Sequence, residues 1–267
     1  MAQRLVALDV DGTLLTSGGE LSDRNRRALT GAEVLGWHVV LVTGRPLAIA
    51  LPVVNDLGLG EYVIAANGAT VAGVASGLVV HQALLSAGPV IELIGRLRRE
   101  VPDVGFAITT GRGVAHERGF ELIAPMSQAV SGEVLDASPR ADDDVHSLVL
   151  FVAGADAVAL VEVIAPFAPE GMTVSPSGLA GSVEIALGDV NKAFGIARLC
   201  EHIGIEQADV VAFGDGLNDI AMLQWAGHGV AMANAHPDVK HAADEVTLSN
   251  DEDGVAVVIE RLLEVAC

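Results

Sequence analysis

Apolar and polar positions alternate along this chain in two rhythms. Leu5–Leu8 is a short β-type run that stops at Asp9. Ser22 to Leu35 has helical spacing, with Ser22 placed to cap it and an interior Gly31 that weakens it. His38–Val42 is β-branched and ends at Thr43-Gly44-Arg45-Pro46, and Tyr62–Ala65 is a further strand before the hairpin-turn signal Asn67-Gly68. The far end repeats the pattern. Lys192–Ile203 reads as helix, Val210–Phe213 as strand, Asn218–Trp225 as helix and Gly229–Met232 as strand. Pro237 then opens a short helix, Val246–Leu248 is a strand and Gly254–Val265 a helix. Strands alternating with helices predict a doubly wound α/β core whose parallel sheet is covered on both faces.

The middle breaks the rhythm. Between 83 and 185 the strand signals are Val104–Thr109, Ser147–Val152, Thr173–Ser175 and Val183–Leu187, with helical stretches at Pro89–Glu100 and Asp156–Phe167. A polar loop, Ser138–Asp144, lies among them, and its Asp142-Asp143-Asp144 run reads as solvated. The expectation is an α+β domain inserted at 83–185 into a core built from 1–82 and 186–267. No internal repeat is visible.

Composition narrows the functions. The 267 residues carry 15 Lys and Arg against 35 Asp and Glu, a formal charge of −20, which disfavours nucleic acid and anionic membrane surfaces as partners. A hydrophobic share of 51% excludes a disordered chain. Tyr62–Ile91 lacks Asp, Glu, Lys and Arg, but its polar residues and glycines read as strands and turns, not a membrane span. Cys200 and Cys267 form no disulfide framework, and no apolar signal core precedes Asp9. A cytoplasmic protein is expected.

Ligands of open α/β sheets bind beyond the carboxyl ends of the strands. There the chain offers Asp9-Val10-Asp11-Gly12-Thr13, then Thr43-Gly44-Arg45, then Gly214-Asp215-Gly216-Leu217-Asn218-Asp219. Singly, each is explained as a turn; three sites at one rim are not. Lys192 opens the helix leading to the third, in a chain with 13 Arg and only 2 Lys. Carboxylates crowd together only around a cation. An all-oxygen set suits Mg²⁺, and no Cys/His cluster has zinc spacing. Asp9 and Asp11, at i and i+2 on an extended strand end, share a face. Asp9 can attack phosphorus and Asp11 can exchange protons with the leaving oxygen and water. Gly12 permits the sharp turn that follows. Arg45 can contact substrate or pair with an acidic rim residue. Asn67 is first a turn residue and second a site residue. His38, His81, His116 and His146 have no triad spacing, and Trp37 and Trp225 read as core.

At these residues the sequence resembles the haloacid dehalogenase-like (HAD) hydrolases, in particular the Cof-type phosphatases with a large class II cap. Asp9-Val10-Asp11-Gly12-Thr13-Leu14-Leu15 is similar to the first family motif and Val40-Leu41-Val42-Thr43-Gly44-Arg45-Pro46 to the second. Lys192 stands at the third and Gly214–Asp219 at the fourth. Ile64–Ala69, Gly229–Ala235 and Ala243–Ala256 also match the Cof-type pattern, with Ala193 and Ala233 where relatives often carry Gly. The resemblance implies a Rossmann-like core and a Mg²⁺-dependent phosphatase working through an aspartyl-phosphate. Asp9 would be nucleophile and metal ligand, and Asp11 the acid/base, lending its backbone carbonyl to the metal. Thr43 and Lys192 would hold phosphate oxygens, with Gly44 and Arg45 in the same substrate-binding turn. Asn218 would reach the phosphate, Asp215 would bind Mg²⁺, and Asp219 would act on the metal mainly through water. The expected partner is a small phosphorylated metabolite; sugar, flavin, pyridoxal and nucleotide phosphates all stay open. A phosphotransferase or mutase shares this chemistry. A signalling receiver lacks a second acid like Asp11, and a non-catalytic sensor does not need the intact acidic set.

Overall fold

The computed structural model describes residues 4–110, 113–117, 145–177 and 181–266. The Ser138–Asp144 loop and Cys267 lie outside them. Along the chain run β1 (Leu5–Asp9), α1 (Asp23–Val34), β2 (His38–Val42), α2 (Leu47–Leu57), β3 (Tyr62–Ala65), β4 (Thr70–Gly73) and β5 (Val79–Gln82). Next come α3 (Ala87–Glu100), β6 (Gly105–Thr110), β7 (Gly113–His116), β8 (Val145–Phe151), α4 (Ala157–Ile164), β9 (Met172–Pro176) and β10 (Ser182–Leu187). The chain closes with α5 (Lys192–Ile203), β11 (Val210–Gly214), α6 (Ile220–Trp225), β12 (His228–Ala231), α7 (Pro237–Ala242), β13 (Glu245–Val246) and α8 (Gly254–Ala266). Two compact units result: Met1–Arg45 with Ala50–Gln82 and Asn191–Cys267, and Pro46–Ile49 with Ala83–Val190.

The first unit holds an eight-stranded sheet in the order β13-β12-β11-β1-β2-β3-β4-β5. Strands β13 to β3 are mutually parallel, whereas β4 and β5 run antiparallel at one edge. The sheet is therefore mixed where the alternation of elements predicts a parallel one. The uncharged run from Tyr62 supplies β3, β4 and β5, and among the described residues no helix is long and apolar enough to cross a membrane. Leu5, Val6, Ala7 and Leu8 are all fully buried, and since successive side chains point to opposite faces, both faces are covered. Helix α1 is capped by Ser22, whose hydroxyl accepts from the Asn25 amide at 3.1 Å, and it packs against α8.

The second unit is a five-stranded sheet ordered β7-β6-β8-β10-β9, antiparallel throughout. Val90, Leu93, Ile94 and Leu97 form one stripe of α3 and share a core with Phe106 and Leu148 of the sheet. Several boundaries differ from the pattern reading. The stretch ending at Phe167 is α-helical only to Ile164, and a 3₁₀ turn containing Pro166 follows over Ala165–Phe167. The stretch at Asn218 begins with a 3₁₀ turn, Leu217–Asp219, before α6, and the strand expected at Val246–Leu248 is only Glu245–Val246.

Candidate active site

The chain turns from β1 to β2 on one side of the sheet and adds β11 on the other, so the crevice between β1 and β11 is the topological switch point. Leu8 pairs with Phe213, and Asp9 pairs with Val42. That register sets Asp9, Thr43 and the Gly214–Asp219 loop at one rim. Asp9 is 8% exposed there, and Lys192 is fully buried.

Lys192 reaches this rim because α5 starts very close to the β3–β4 turn. Ala66, Asn67 and Gly68 all have positive φ, and a Cβ on Gly68 would lie 2.0 Å from the Asn191 carbonyl oxygen. Gly195 is equally tight, its hypothetical Cβ falling 2.5 Å from Ile64. Asn191 caps the helix by accepting from the Phe194 amide at 3.1 Å. An ammonium at a helix N-terminus is electrostatically unfavoured. Here two carboxylates offset the cost. Lys192 Nζ donates to Asp9 Oδ1 at 2.5 Å and to Asp219 Oδ1.

Asp219 spends its other oxygen on the loop. Oδ2 accepts from the amides of Asp215 (3.0 Å) and Gly216 (2.9 Å). Asp215 is held from the turn after β1 by the Thr13 hydroxyl, which donates to Oδ1 at 2.7 Å. Gly12 has φ +86°, and a Cβ there would sit 2.4 Å from Asp215 Oδ2. Thr43 Oγ1 accepts from the Arg45 amide at 3.1 Å, closing the turn after β2. Gly44 lies over the Asn67 side chain, which accepts from Asn218 Nδ2 at 3.0 Å. Asn67 thus serves the turn and the rim together. Arg45 takes the second of its two expected roles, gripping both carboxylate oxygens of Asp11 at 2.6 and 3.0 Å.

Asp9, Asp215 and Asp219 each bring a carboxylate oxygen within 4.8 Å of the others. Two carboxylates at that spacing repel by about 3–4 kcal/mol at an effective dielectric near 20. Burial, with Asp219 and Asp215 beside it, outweighs Lys192 and pushes the Asp9 carboxyl up to about 8. Burial also raises Asp215, aided by Asp219 and opposed by the Thr13 hydrogen bond. Burial alone would lower Lys192, but Asp219 and Asp9 outweigh it and hold its pKa above the usual lysine value. When all three are ionised, the carboxylates around one ammonium leave two negative charges uncompensated. A hard divalent cation fits that deficit and this all-oxygen donor set. Asp219 has both oxygens engaged, so Asp9 and Asp215 are the side chains free to ligate. The Asp11 carboxylate is not among the three. Asn67 takes its second expected role beside its first, and Thr13 joins the site although its residue type alone assigns it no role there; the signal for Thr13 is a hydroxyl directly after the Gly12 turn.

An α/β chain with an inserted unit, whose switch point sets carboxylates around a buried lysine, is an enzyme equipped for phosphate esters. The family model for haloacid dehalogenase-like hydrolases matches residues 6–259. A putative phosphatase of Bacillus subtilis (strain 168), YxeH, is 32% identical over 97% of this chain and 98% of its own. The 5-amino-6-(5-phospho-D-ribitylamino)uracil phosphatase YcsE of the same organism is 34% identical over 97% of this chain and 95% of its own. Among solved structures, BT1666 of Bacteroides thetaiotaomicron, a phosphatase of the HAD enzyme superfamily, matches with TM-score 0.83 and 27% identity over 97% of this chain and 95% of that one. The chain belongs to the haloacid dehalogenase-like hydrolases, among their Cof-type phosphatases. The resemblance carried by its motifs is borne out at the level of the family.

Proposed function

We propose that this enzyme hydrolyses the phosphomonoester of a small metabolite, a sugar phosphate or a similar compound, through a phosphorylated Asp9, with Mg²⁺ at Asp9, Asp215 and the Asp11 carbonyl. The observation that carries this reading is the Asp9 carboxylate, fixed through Oδ1 by a fully buried lysine, with Oδ2 left to react. Asp9 Oδ2 attacks phosphorus while the bond to the leaving oxygen breaks, and Asp11 gives that oxygen its proton. Water then passes a proton to Asp11 and attacks the same phosphorus. The bond to Asp9 breaks, and inorganic phosphate leaves. Lys192, Thr43 and Asn218 hold phosphate oxygens through these steps. Arg45 exchanges the two oxygens of Asp11 for two of the phosphate, freeing Asp11 to face the leaving group. Bound Mg²⁺ supplies charge neutralisation to Asp9 and the phosphate.

The inserted unit is assigned the choice of ester, and the cytoplasm is the setting that free, buried Cys200 favours. YcsE, as a phosphatase of a phosphoribityl compound, supports including polyol phosphates among the candidates. A phosphate-release screen over sugar, polyol, flavin, pyridoxal and nucleotide monophosphates with Mg²⁺ tests the reading. Release from at least one ester, abolished in Asp9→Ala, is expected. Turnover that survives in folded Asp9→Ala refutes the covalent route.

A further inference from the structure

Two stretches matched in the sequence take no part in this chemistry: Ala233-Asn234-Ala235 and Ser249-Asn250-Asp251-Glu252-Asp253-Gly254. Both lie against Gly12–Ser17, the segment that follows Asp11. Asn234 Nδ2 donates to the Gly12 carbonyl at 2.7 Å. Buried Asn250 donates from Nδ2 to the Leu15 carbonyl at 2.9 Å, and from its backbone N–H to Asn234 Oδ1 at 3.0 Å, which joins the two asparagines. Asp251 accepts from the Ser17 amide at 2.8 Å and the Ser17 hydroxyl at 2.7 Å.

The base of this arrangement is rigid. The Ser249 hydroxyl donates to Glu252 at 2.6 Å, and the Thr247 hydroxyl to the Gly254 carbonyl at 2.8 Å. Asp253 has φ +59°, and a Cβ on Gly254 would lie 2.2 Å from the Leu248 carbonyl oxygen. The turn therefore presents Asn250 and Asp251 in a fixed direction. A cavity of about 390 Å³ opens beside them, lined by Asp11, Thr16, Ser17, Asn234 and Asp251 among others. Ser17, Asn234, Asn250 and Asp251 spend their hydrogen bonds on one another and on the Gly12–Ser17 backbone. That describes a brace, not a cradle awaiting a ligand.

What the brace controls follows from peptide geometry. Gly12 is the most freely rotating residue of the segment, and its carbonyl direction sets that of the Thr13 N–H, which points the opposite way across a planar trans peptide. Thr13 in turn holds Asp215. We propose that Asn234, Asn250 and Asp251 are positioning residues: they clamp Gly12–Ser17 and so keep Asp11 and Thr13 in register with Asp9 and Asp215. The kinetic consequence rests on the phosphatase reading; the clamp itself does not.

The test compares kcat/KM for an alkyl phosphate and for para-nitrophenyl phosphate in the wild type, Asn234→Ala, Asp251→Ala and Asn250→Ala. An alkoxide needs the Asp11 proton to leave and a nitrophenolate does not. A displaced Asp11 therefore lowers the alkyl value by about tenfold or more beyond any loss on the aryl ester. Asn234 and Asp251 are exposed, so their variants test the clamp even if Asn250→Ala does not fold. Unchanged kcat/KM on both esters in every variant overturns the clamp, and equal losses on both overturn its hold on Asp11. A wild-type protein inert towards both esters strikes the phosphatase reading instead. Backbone deuterium exchange over residues 12–17 then decides: faster exchange in Asn234→Ala is expected, and unchanged exchange overturns the clamp.

Discussion

Lowering the pH from 8 to 6 is expected to weaken Mg²⁺ binding roughly fifty-fold. Asp9 is buried beside Asp219 and Asp215 with Lys192 alone to offset them, and its carboxyl is pushed up to about 8. A proton and a cation compete for the same oxygens, so the cation sees only the deprotonated fraction. That fraction is about one half at pH 8 and about one hundredth at pH 6. Apparent affinity scales with the competent fraction, which gives about fifty-fold, or about 2.3 kcal/mol. The sign follows from the raised pKa: binding expels a proton, affinity climbs with pH towards about 8, and it levels off above. Calorimetric titration with MgCl₂ at the two pH values, in buffers of different ionisation heat, reads both the affinity and the protons released. Asp9→Asn should lose this pH dependence. Equal affinity at both pH values with no proton release would refute the electrostatic picture of the site.

Three further substitutions bear on the same rim. Lys192→Met leaves two buried carboxylates without their cation and should destabilise the metal-free protein by about 3–5 kcal/mol in a denaturant titration; a loss well under 1 kcal/mol would show that the ammonium is not compensating them. Gly12→Ala combines an unfavourable φ with a Cβ 2.4 Å from Asp215 Oδ2, so calorimetry should show Mg²⁺ affinity falling by more than about tenfold. Unchanged affinity would mean that Asp215 does not ligate. Asp11→Asn should cut kcat by about 10² to 10⁴, measured as phosphate release. A negligible change would assign proton transfer to another group.

Parts of the fold were legible because their causes are local. Leu5–Leu8, His38–Val42 and Val210–Phe213 are unbroken apolar runs, and strands buried on both faces require that composition. Their ends followed, and with them Asp9, Thr43 and the Gly214–Asp219 loop. Helix α2 is not legible in the same way. Pro52 lies inside it, and its residues are apolar on nearly every position, so no helical stripe stands out. The antiparallel return of β4 was signalled by the hairpin turn at Asn67-Gly68, whereas β5 was not, because glycines and an uncharged run suit turns and strands of either direction.

Residue types and their order along the chain were enough to say that acids, a hydroxyl and a lysine gather at strand ends, and so to name the chemistry. Pairing is another matter. Asp219 gives one oxygen to Lys192 and the other to its own loop, Arg45 takes Asp11, and Asn234 with Asn250 braces the segment after Gly12. Each of these choices turns on tenths of an ångström, and most join groups on segments far apart in sequence. Hydrogen bonds and charge interactions change steeply over such distances. Local sequence sets which groups a segment offers; only the packed sheet sets which of them meet.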